Sequence, residues 1–514
     1  MSRRLLALLL AATALTAPAC AVAAPPAAVA SATARDDARD AAFRRSLETF
    51  IDGLRATGYA PPGFVVVASH EGRVVFEQAY GVRDASTGAA MTLDTPIYTA
   101  SVTKAYTGLM AAQLDGRGLL RIDASLADVW PGITLPEGLD PSAITIGQIL
   151  SHSAPFMDSG LDFRANFAGN VTAADVPGHL ARWAAPRPAG FRYANFGPNL
   201  YSMMVESASG RDWKAVMQRA VFDEMGLRRT YVRTSDLPAG EAAACNTRRG
   251  GAWVATPPKP DALMYAAGGL YASGRDADRF LAAFTTEGAS IGGRIPAAVL
   301  ARTWAQQSPQ DRTVLGMRRD GYGLGWDLSE AVGQRIVSRS GGYTGCSSLF
   351  GFSPSSGLAV TVFSVGDAAG NDFNFGLFQQ AFEYWDGAAE ADTHAAERLT
   401  AFAAAGRTAF ARADAPAASP DLRANALPEP ALQAYVARYN DGGRLGDMTT
   451  RIHDGRLVAD LGLLTLDLVP TGEADVFTGY MPEATEGEPF RFLRDAGGRV
   501  TEMRWGAREF PRRD

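Results

Sequence analysis

The spacing of hydrophobic and polar positions changes several times along the chain, and each change marks a new segment. Residues 41–57 place apolar side chains on one helical stripe, which predicts an amphipathic helix. Apolar runs of strand length follow this helix and return much later in the chain, at 64–69, 73–80, 322–329, 335–339, 347–353 and 358–365. Helical patterns and loops fill the stretch between them, and a closing helix is predicted at 373–384.

Strand patterns therefore begin and end this region, while helical patterns occupy its middle. This order predicts one antiparallel sheet assembled from both ends, flanked by helices and accompanied by a helical lobe, which is an α+β fold. A cleft between the sheet and the lobe is the natural place for a site. We expect this unit to occupy residues 41–387 and to be followed by a helix and linker over 388–427.

The pattern changes again in the last part of the chain, 428–514. After one short helical segment, apolar and polar residues alternate in short runs separated by turns such as Asp454-Gly455 and Gly497-Gly498. The sequence predicts a small all-β, barrel-like domain here. Because this segment has no obvious cluster of reactive side chains, we interpret it as a structural or substrate-restricting appendage.

The first residues have the composition of an export signal. Two arginines precede an apolar run, 5–17, that is too short to span a bilayer comfortably, and Ala21-Val22-Ala23 forms a cleavage box. We predict a signal peptide over 1–23, a disordered Ala/Pro-rich leader over 24–40, and a periplasmic or secreted protein. A lipoprotein anchored through Cys20 is the alternative.

Composition narrows the classes of partner. The chain has 514 residues and a formal net charge of -6, which gives no basic surface for nucleic acid. No later stretch has the pattern of a transmembrane helix, and no Cys/His cluster has metal-ligand spacing, so we expect no metal and no cofactor. Cys245 and Cys346 remain after signal cleavage, either as a disulfide or as two buried thiols.

The chemistry centres on Ser101-Val-Thr-Lys104, where a helix is predicted to start at Val102. Ser101 and Lys104 are separated by one helical turn and so share a face. A serine hydroxyl is a poor nucleophile until a base takes its proton, and a desolvated lysine can act as that base. The alternative interpretation is an N-cap serine followed by a solvated lysine.

Two later segments favour the chemical interpretation. Tyr193-Ala-Asn195 places a phenol and an amide on one side of a loop, and the phenol can relay a proton. His152 lies between the first two segments and is either a base or a structural hydrogen-bonding residue. Arg339-Ser340-Gly341-Gly342 follows a strand, where a cation, a hydroxyl group and exposed backbone N–H groups suit an acidic or polar substrate.

These segments occur in the order found in the serine β-lactamase and penicillin-binding superfamily, which the chain resembles from about residue 41 to 384. The resemblance is closest to the class C β-lactamase-like branch, which also includes D-alanyl-D-alanine carboxypeptidases, D-aminopeptidases and esterases. Further stretches resemble the family at Tyr80-Gly-Val-Arg-Asp84, Ile149-Leu-Ser-His152, Ala267–Ser273 and Tyr322–Trp326.

The resemblance implies a role for each matching residue. Ser101 would be the acylated nucleophile, Lys104 its base and Tyr193 the second acid/base. Asn195 would contact a substrate amide, and the backbone N–H groups of Ser101 and Gly342 would form the oxyanion hole. In the third segment, the residues implied to bind substrate are Arg339, Ser340 and Gly342.

The sequence departs from the family pattern at Arg339, because relatives usually have lysine or histidine before the Ser/Thr-Gly pair. Arginine stays charged at any working pH, so we expect it to keep an electrostatic role without exchanging a proton. The resemblance implies an exported serine hydrolase that acts on an ester or amide of a small molecule or short peptide. The alternatives are a β-lactamase and a binding protein that is acylated without turnover.

Overall fold

The computed structural model describes residues 27–415, 420–482 and 486–513. The predicted signal peptide and Cys20 lie outside these residues. No helix in the described part of the chain combines the length and the apolar character needed to cross a membrane.

Helices occur in both halves of the described chain. They are α1 (Ala27–Ala56), α2 (Thr103–Gly116), α3 (Leu126–Val129), α4 (Ile146–Leu150), α5 (Ser159–Phe163), α6 (Val176–Trp183), α7 (Phe196–Ser209), α8 (Trp213–Met217), α9 (Gly274–Thr285), α10 (Ala297–Trp304), α11 (Gly370–Asp386), α12 (Ala391–Asp414) and α13 (Glu429–Leu432). Short 3₁₀ turns lie at Ala100–Val102, Ala173–Asp175, Thr234–Asp236, Asp261–Leu263, Ala289–Ile291 and Gln433–Tyr435, and π-helical turns at Arg164–Ala168 and Gln218–Asp223.

The strands fall into a large sheet, a barrel and short pairs. They are β1 (Gly63–His70), β2 (Arg73–Asp84), β3 (Ala89–Ala90), β4 (Ile97–Tyr98), β5 (Phe156–Met157), β6 (Ala185–Pro186), β7 (Thr230–Tyr231), β8 (Cys245–Arg249), β9 (Ala252–Thr256), β10 (Tyr271–Ala272), β11 (Ser308–Val314), β12 (Met317–Tyr322), β13 (Asp327–Ala331), β14 (Gln334–Tyr343), β15 (Cys346–Phe352), β16 (Leu358–Ser364), β17 (Arg438–Asn440), β18 (Asp447–His453), β19 (Arg456–Leu461), β20 (Leu464–Pro470), β21 (Val476–Tyr480), β22 (Glu488–Arg494), β23 (Val500–Trp505) and β24 (Arg508–Arg513).

One antiparallel sheet joins the two ends of the main unit, in the order β11-β12-β13-β14-β15-β16-β1-β2-β3. The ends meet where β1 pairs with β16, with Val66 opposite Val362. Both strands are buried on both faces, so each buried valine contributes about 1.5–3 kcal/mol to the stability of the folded state. The predicted α+β class, with a sheet assembled from both ends and a helical lobe (α3–α8), is confirmed.

The sheet separates two hydrophobic cores. On one face, α2, α9 and the helical lobe bury aromatic side chains such as Tyr106, Phe280 and Trp326. On the other face, α1 and α11 pack through residues that include Phe50 and Phe378. The face that carries α2 is the one that positions the candidate nucleophile.

The helix α1 begins at Ala27, so the described part of the expected disordered leader, 27–40, is helical. Alanine has the highest helix propensity, and the segment is rich in it beyond Pro26. The end of the segment is also tied to the main unit, because Arg39 donates to the Trp385 carbonyl at 2.9 Å and Asp40 pairs with Arg73. The Ala/Pro composition alone gave the wrong expectation here.

The C-terminal unit is a closed eight-stranded barrel, β17 to β24, in which β24 pairs back to β17. The barrel contacts the helical lobe directly. The Leu463 amide donates to the Ala168 carbonyl at 2.8 Å, and the Trp505 ring packs edge-on against Phe163. The barrel-like prediction is confirmed, and the barrel is attached to the lobe rather than separated from it.

Cys245 and Cys346 form a disulfide, which settles the choice that the sequence leaves open. The bond joins β8 to the start of β15 and closes a loop with a sequence separation of 101 residues. Cross-linking a loop of this length stabilises a fold by about 4.7 kcal/mol in the chain-entropy account. The bond also fixes the segment before β8 against the turn that follows β14.

Candidate active site

Ser101 lies in a 3₁₀ turn, Ala100–Val102, that leads directly into α2. The turn is strained, because Ala100 has a φ of +47°, a conformation that non-glycine residues rarely adopt. Its geometry is held by neighbouring strands, since Ser348 Oγ donates to the Thr99 carbonyl at 2.7 Å. The Ser101 backbone N–H is in the first turn, where amides lack intrahelical acceptors.

Lys104 is buried beneath Ser101, with 1% of the residue exposed. Its Nζ lies 3.0 Å from Ser101 Oγ, and it donates to Asn195 Oδ1 at 2.9 Å and to the Ala267 carbonyl at 2.6 Å. Burial lowers the pKa of Lys104 to about 8, and Arg339 also lowers it while Tyr193 opposes the shift. About a tenth of this amine is therefore uncharged at pH 7, far more than for a lysine in solvent.

Tyr193 completes the cluster from the loop before α7. Its hydroxyl donates to Ser101 Oγ at 2.9 Å and accepts a short hydrogen bond from Arg339 Nη2. Burial raises the pKa of Tyr193, but the charges of Arg339 and Lys104 together lower this pKa by more, so that its net value is about 8. Because Lys104 and Tyr193 contact the same oxygen, their protons come off as a coupled pair.

The strand β14 contributes an open edge beside the nucleophile. It pairs with β15 as far as Tyr343, whereas its pairing with β13 stops at Ser338. Gly341 lets this edge approach Ser101, because a Cβ atom there would lie 2.2 Å from the Thr99 carbonyl oxygen. A Cβ atom at Gly342 would meet nothing closer than 4.0 Å, so this second glycine is not required by packing.

Arg339 is held in place by a buried carboxylate, Asp327. Arg339 Nη1 lies 3.0 Å from Asp327 Oδ2, and Arg319 Nη1 lies 3.0 Å from the same oxygen. Burial would lower the pKa of Arg339, but Tyr193, Tyr322 and Asp327 raise it above its ordinary value. Arg339 is therefore a permanent cation that also donates to the Ser101 carbonyl at 3.1 Å.

His152 lies behind Tyr193 rather than beside Ser101. Its Nε2 is 3.2 Å from the Tyr322 hydroxyl, its Nδ1 accepts from the Ala194 amide at 3.5 Å, and its ring packs 4.7 Å from that of Tyr193. Burial and the nearby cations lower the pKa of His152 well below its usual range. These contacts favour the structural interpretation over a role as the base.

An open cavity of about 310 Å³ lies over the cluster. Three arginines line it, and no aspartate or glutamate is among the described residues that line it, so the cavity favours anions. Its lining residues include Ser101, Tyr193, Arg312, Arg319, Arg339, Ser340 and Gly342. The described residues contain no group of three or more His, Cys, Asp or Glu side chains that could hold a metal ion.

A model of the Beta-lactamase family matches residues 40–383. The chain belongs to the Beta-lactamase family. Penicillin-binding protein 4 of Amycolatopsis lactamdurans is 27% identical over 333 residues, which cover 63% of this chain and 85% of that protein. The resemblance seen in the ordered motifs is thus confirmed at the level of the family.

Two solved structures of proteins with related folds cover most of the chain. The octameric penicillin-binding protein homologue from Pyrococcus abyssi aligns with a TM-score of 0.57 at 18% identity, over 90% of this chain and 99% of that one. The D-amino acid amidase from Ochrobactrum anthropi aligns with a TM-score of 0.53 at 19% identity, over 69% of this chain and 99% of that one. At these identities the likeness shows a shared fold.

The structure brings together Ser101, Lys104, Tyr193 and Asn195 as the Beta-lactamase family pattern implies, and it places Arg339, Ser340 and Gly342 along the same cleft. Asp327, which holds Arg339, and Arg319, which shares that carboxylate, were not predicted from the sequence. Asp327 directly follows Tyr322–Trp326, a stretch noted only for its resemblance to the family. An acidic residue next to that stretch, on a strand adjacent to Arg339, was the available signal.

We predict that Asp327→Asn lowers the free energy of unfolding by about 3–5 kcal/mol, because it leaves two buried guanidinium groups without their counter-charge. Arg339 and Arg319 have side chains only 3% and 5% exposed, so water compensates poorly for the loss of the carboxylate. Denaturant unfolding followed by tryptophan fluorescence measures the change.

The matched control is Asp320→Asn, which removes a partly exposed carboxylate 2.7 Å from Arg335 on the same sheet. Here the expected loss is below about 1 kcal/mol. Equal losses in the two variants would contradict the view that Asp327 holds a buried cationic cluster.

Proposed function

We propose that the protein is an exported serine hydrolase that cleaves an ester or amide through an acyl-enzyme on Ser101. The observation that carries the proposal is the contact of one hydroxyl oxygen with both a buried amine and a phenol, at 3.0 and 2.9 Å. A nucleophile, a base and a second acid/base within bonding distance are what acyl transfer requires. The disulfide is in keeping with export.

In the first half of the reaction, neutral Lys104 takes the proton of Ser101 as the serine oxygen attacks the substrate carbonyl carbon. The backbone N–H groups of Ser101 and Gly342 stabilise the resulting oxyanion, each being worth about 3 kcal/mol of barrier. The carbonyl then re-forms, the bond to the leaving group breaks, and Tyr193 donates a proton to the departing oxygen or nitrogen. The proton held by Lys104 restores Tyr193.

In the second half, water attacks the acyl carbonyl while the Lys104–Tyr193 pair accepts its proton, and the pair returns this proton to Ser101 Oγ as the bond between Oγ and the acyl carbon breaks and the carboxylic acid leaves. Asn195 holds Lys104 through its carbonyl oxygen, which leaves its amide nitrogen for a substrate carbonyl. Arg339 remains protonated throughout and lowers the pKa of Tyr193 instead of exchanging a proton. This assignment follows from its charge, its burial and its bond to Asp327.

The leaving group is proposed to carry a carboxylate or another polar acidic group. Tyr193, which protonates the leaving group, faces the cavity lined by Arg312, Arg319 and Arg339. Guanidinium groups bind carboxylates with two parallel hydrogen bonds, so this side of the cleft suits an amino acid or a similar acid.

We predict that Ser101→Ala lowers kcat/KM for p-nitrophenyl acetate and for D-amino-acid p-nitroanilides by at least about a thousandfold. The reason is that Ser101 supplies the hydroxyl oxygen that contacts both the amine and the phenol. Ser142→Ala is the control, because its exposed hydroxyl donates only to Asp140 at 2.6 Å, and it should change activity less than about twofold.

Full activity in Ser101→Ala would refute the assignment of the nucleophile. Stable labelling of Ser101 by a fluorescent penicillin, with no turnover of esters or amides, would instead favour a binding protein that stops at the acyl-enzyme. Rapid turnover of penicillins with poor turnover of esters would favour a β-lactamase.

We predict that kcat/KM for a neutral ester rises with pH and levels off above about 8, where the Lys104–Tyr193 pair loses its first proton. Arg339→Gln should move this rise to higher pH by about one unit, since Arg339 lowers both pKa values. The measurement is a pH profile of kcat/KM for both proteins.

Arg335→Gln provides the control. Arg335 lies on the same strand as Arg339, but it is away from Ser101 and pairs with Asp320 of β12. Its profile should overlay that of the wild-type protein. A rise at the same pH in Arg339→Gln and wild type would rule out Arg339 as the group that tunes the pair.

A further inference from the structure

A second cavity, of about 430 Å³, lies next to the candidate active site. Two of its walls belong to the segments that build the site: Tyr98 precedes Ser101 by three residues, and Tyr343 directly follows Gly342. The other lining residues are Thr234, Leu237–Gly240, Ala242–Cys245, Ala255–Lys259 and Tyr271. The disulfide at Cys245 holds this wall against the end of β14.

Three tyrosines form an aromatic wall of this cavity. The rings of Tyr98 and Tyr343 have centroids 5.1 Å apart, and those of Tyr98 and Tyr271 are 5.2 Å apart, both edge to face. Tyr98 and Tyr271 are almost fully buried, at 2% and 3% exposed. Their hydroxyl groups do not supply a negative charge, because burial raises the pKa of both.

Lys259 is the cation of this cavity. Its Nζ lies 4.8 Å from the centroid of the Tyr343 ring and 5.9 Å from that of Tyr98. In the described parts of the chain, this ammonium has neither a hydrogen-bond nor an ion-pair partner, and none of the residues that line the cavity is an aspartate or glutamate. Burial lowers the pKa of Lys259 to about 8.

A partly buried ammonium without a counter-charge loses hydration free energy, and the faces of aromatic rings compensate only part of that loss. An apolar side chain such as methionine would fill the same space without this desolvation cost. Lysine is also rare here, since the chain has only Lys104, Lys214 and Lys259 beside its many arginines. Lys104 belongs to the site and Lys214 donates to the Asp261 carbonyl at 2.6 Å, which leaves Lys259 as the lysine whose charge the fold does not use.

The position of the cavity decides which part of a substrate it would receive. The leaving group departs on the side of Tyr193 and Arg339, whereas the new cavity lies beyond Gly342 at the other end of the open edge of β14. We infer that this cavity binds the acyl portion of the substrate and that Lys259 recognises a carboxylate carried by that portion. This inference rests on the proposed function, because it assumes an acyl-enzyme on Ser101.

The substrate class that follows is an ester or amide of a dicarboxylic acid, or of an acidic amino acid attached through its side chain. One carboxyl group of such an acid forms the scissile bond, and the other reaches Lys259. The tyrosine rings cover the carbon chain between them. Recognition of the leaving group on the arginine side of the cleft, where Arg312 is the most exposed cation, and of the acyl group by Lys259 would make the cleft selective at both ends.

The test compares p-nitrophenyl monoesters of adipic, pimelic and suberic acids with p-nitrophenyl hexanoate, heptanoate and octanoate. Each pair has the same chain length and the same leaving group, and differs only in the terminal carboxylate. For each pair we take the ratio of kcat/KM for the anionic ester to kcat/KM for the neutral ester. At the chain length where this ratio is highest in the wild-type protein, Lys259→Met should lower it by about tenfold or more, which corresponds to the loss of one charge-assisted hydrogen bond.

The neutral esters should be hydrolysed by Lys259→Met within about twofold of the wild-type rate, which separates recognition from a structural effect. Lys259→Arg is the matched control, since it keeps the cation and should keep the preference. An unchanged ratio in Lys259→Met, or an equal loss on both ester series, would overturn the inference.

A second measurement uses the unaltered protein and does not need turnover. Trace acetylation with acetic anhydride, read by mass spectrometry, reports on Lys259 and Lys214 together. Adipate should slow the modification of Lys259 relative to Lys214, whereas adipamide at the same concentration, which has the same carbon chain but no carboxylate, should not. Equal effects of adipate and adipamide would overturn the inference even if Lys259→Met does not fold.

The outcomes also separate the two proposals. If ester turnover survives in Ser101→Ala, the proposed function fails, and the trace acetylation alone decides whether Lys259 binds a carboxylate. If turnover depends on Ser101 but the ratio is insensitive to Lys259, the proposed function stands and the acyl-side inference fails.

Discussion

The site depends on an ammonium group that the fold has withdrawn from water. Lys104 is held between the start of α2, the loop before α7 and the carbonyl of Ala267, and among the described residues its bonding partners are oxygen atoms of Ser101, Asn195 and Ala267, none of them a carboxylate. A buried amine placed in this way gives up its proton more readily than one in solvent. Asn195 and the Ala267 carbonyl hold this amine out of water and within hydrogen-bonding distance of Ser101.

The sheet and the helical lobe provide that enclosure from opposite sides. Gly325 shows how tight it is, because a Cβ atom there would lie 2.0 Å from the Lys104 carbonyl oxygen, and its φ of +91° is one that other residues avoid. On the far side, the barrel binds the lobe: Arg444 Nη2 donates to Ser159 Oγ at 2.8 Å, and His179 links the Arg444 carbonyl to Asp158. The barrel thus packs against and stabilises the helical lobe, and Asn195 lies in this lobe directly before α7.

Features that depend on neighbouring residues in the sequence were predicted correctly. The apolar runs predicted the strands of the large sheet, and the spacing of Ser101 and Lys104 predicted that their side chains lie on the same side of one helical turn. The carboxylate of Asp327 was not predictable in this way, because its partners lie on other strands and charge pairing across a sheet leaves no periodic trace. The helix before residue 41 was missed because alanine favours helix while the neighbouring prolines favour coil, and contacts such as that of Arg39 with Trp385 decided the outcome.

The most direct measurement of this account is the titration of Lys104 itself. Because the chain has three lysines, ¹⁵N-lysine labelling gives a simple spectrum, and Lys104→Met identifies the signal of interest. Lys104 in the folded protein should titrate with a midpoint at about 8. A midpoint at or above about 10.4, the ordinary value for a solvated lysine, would contradict it.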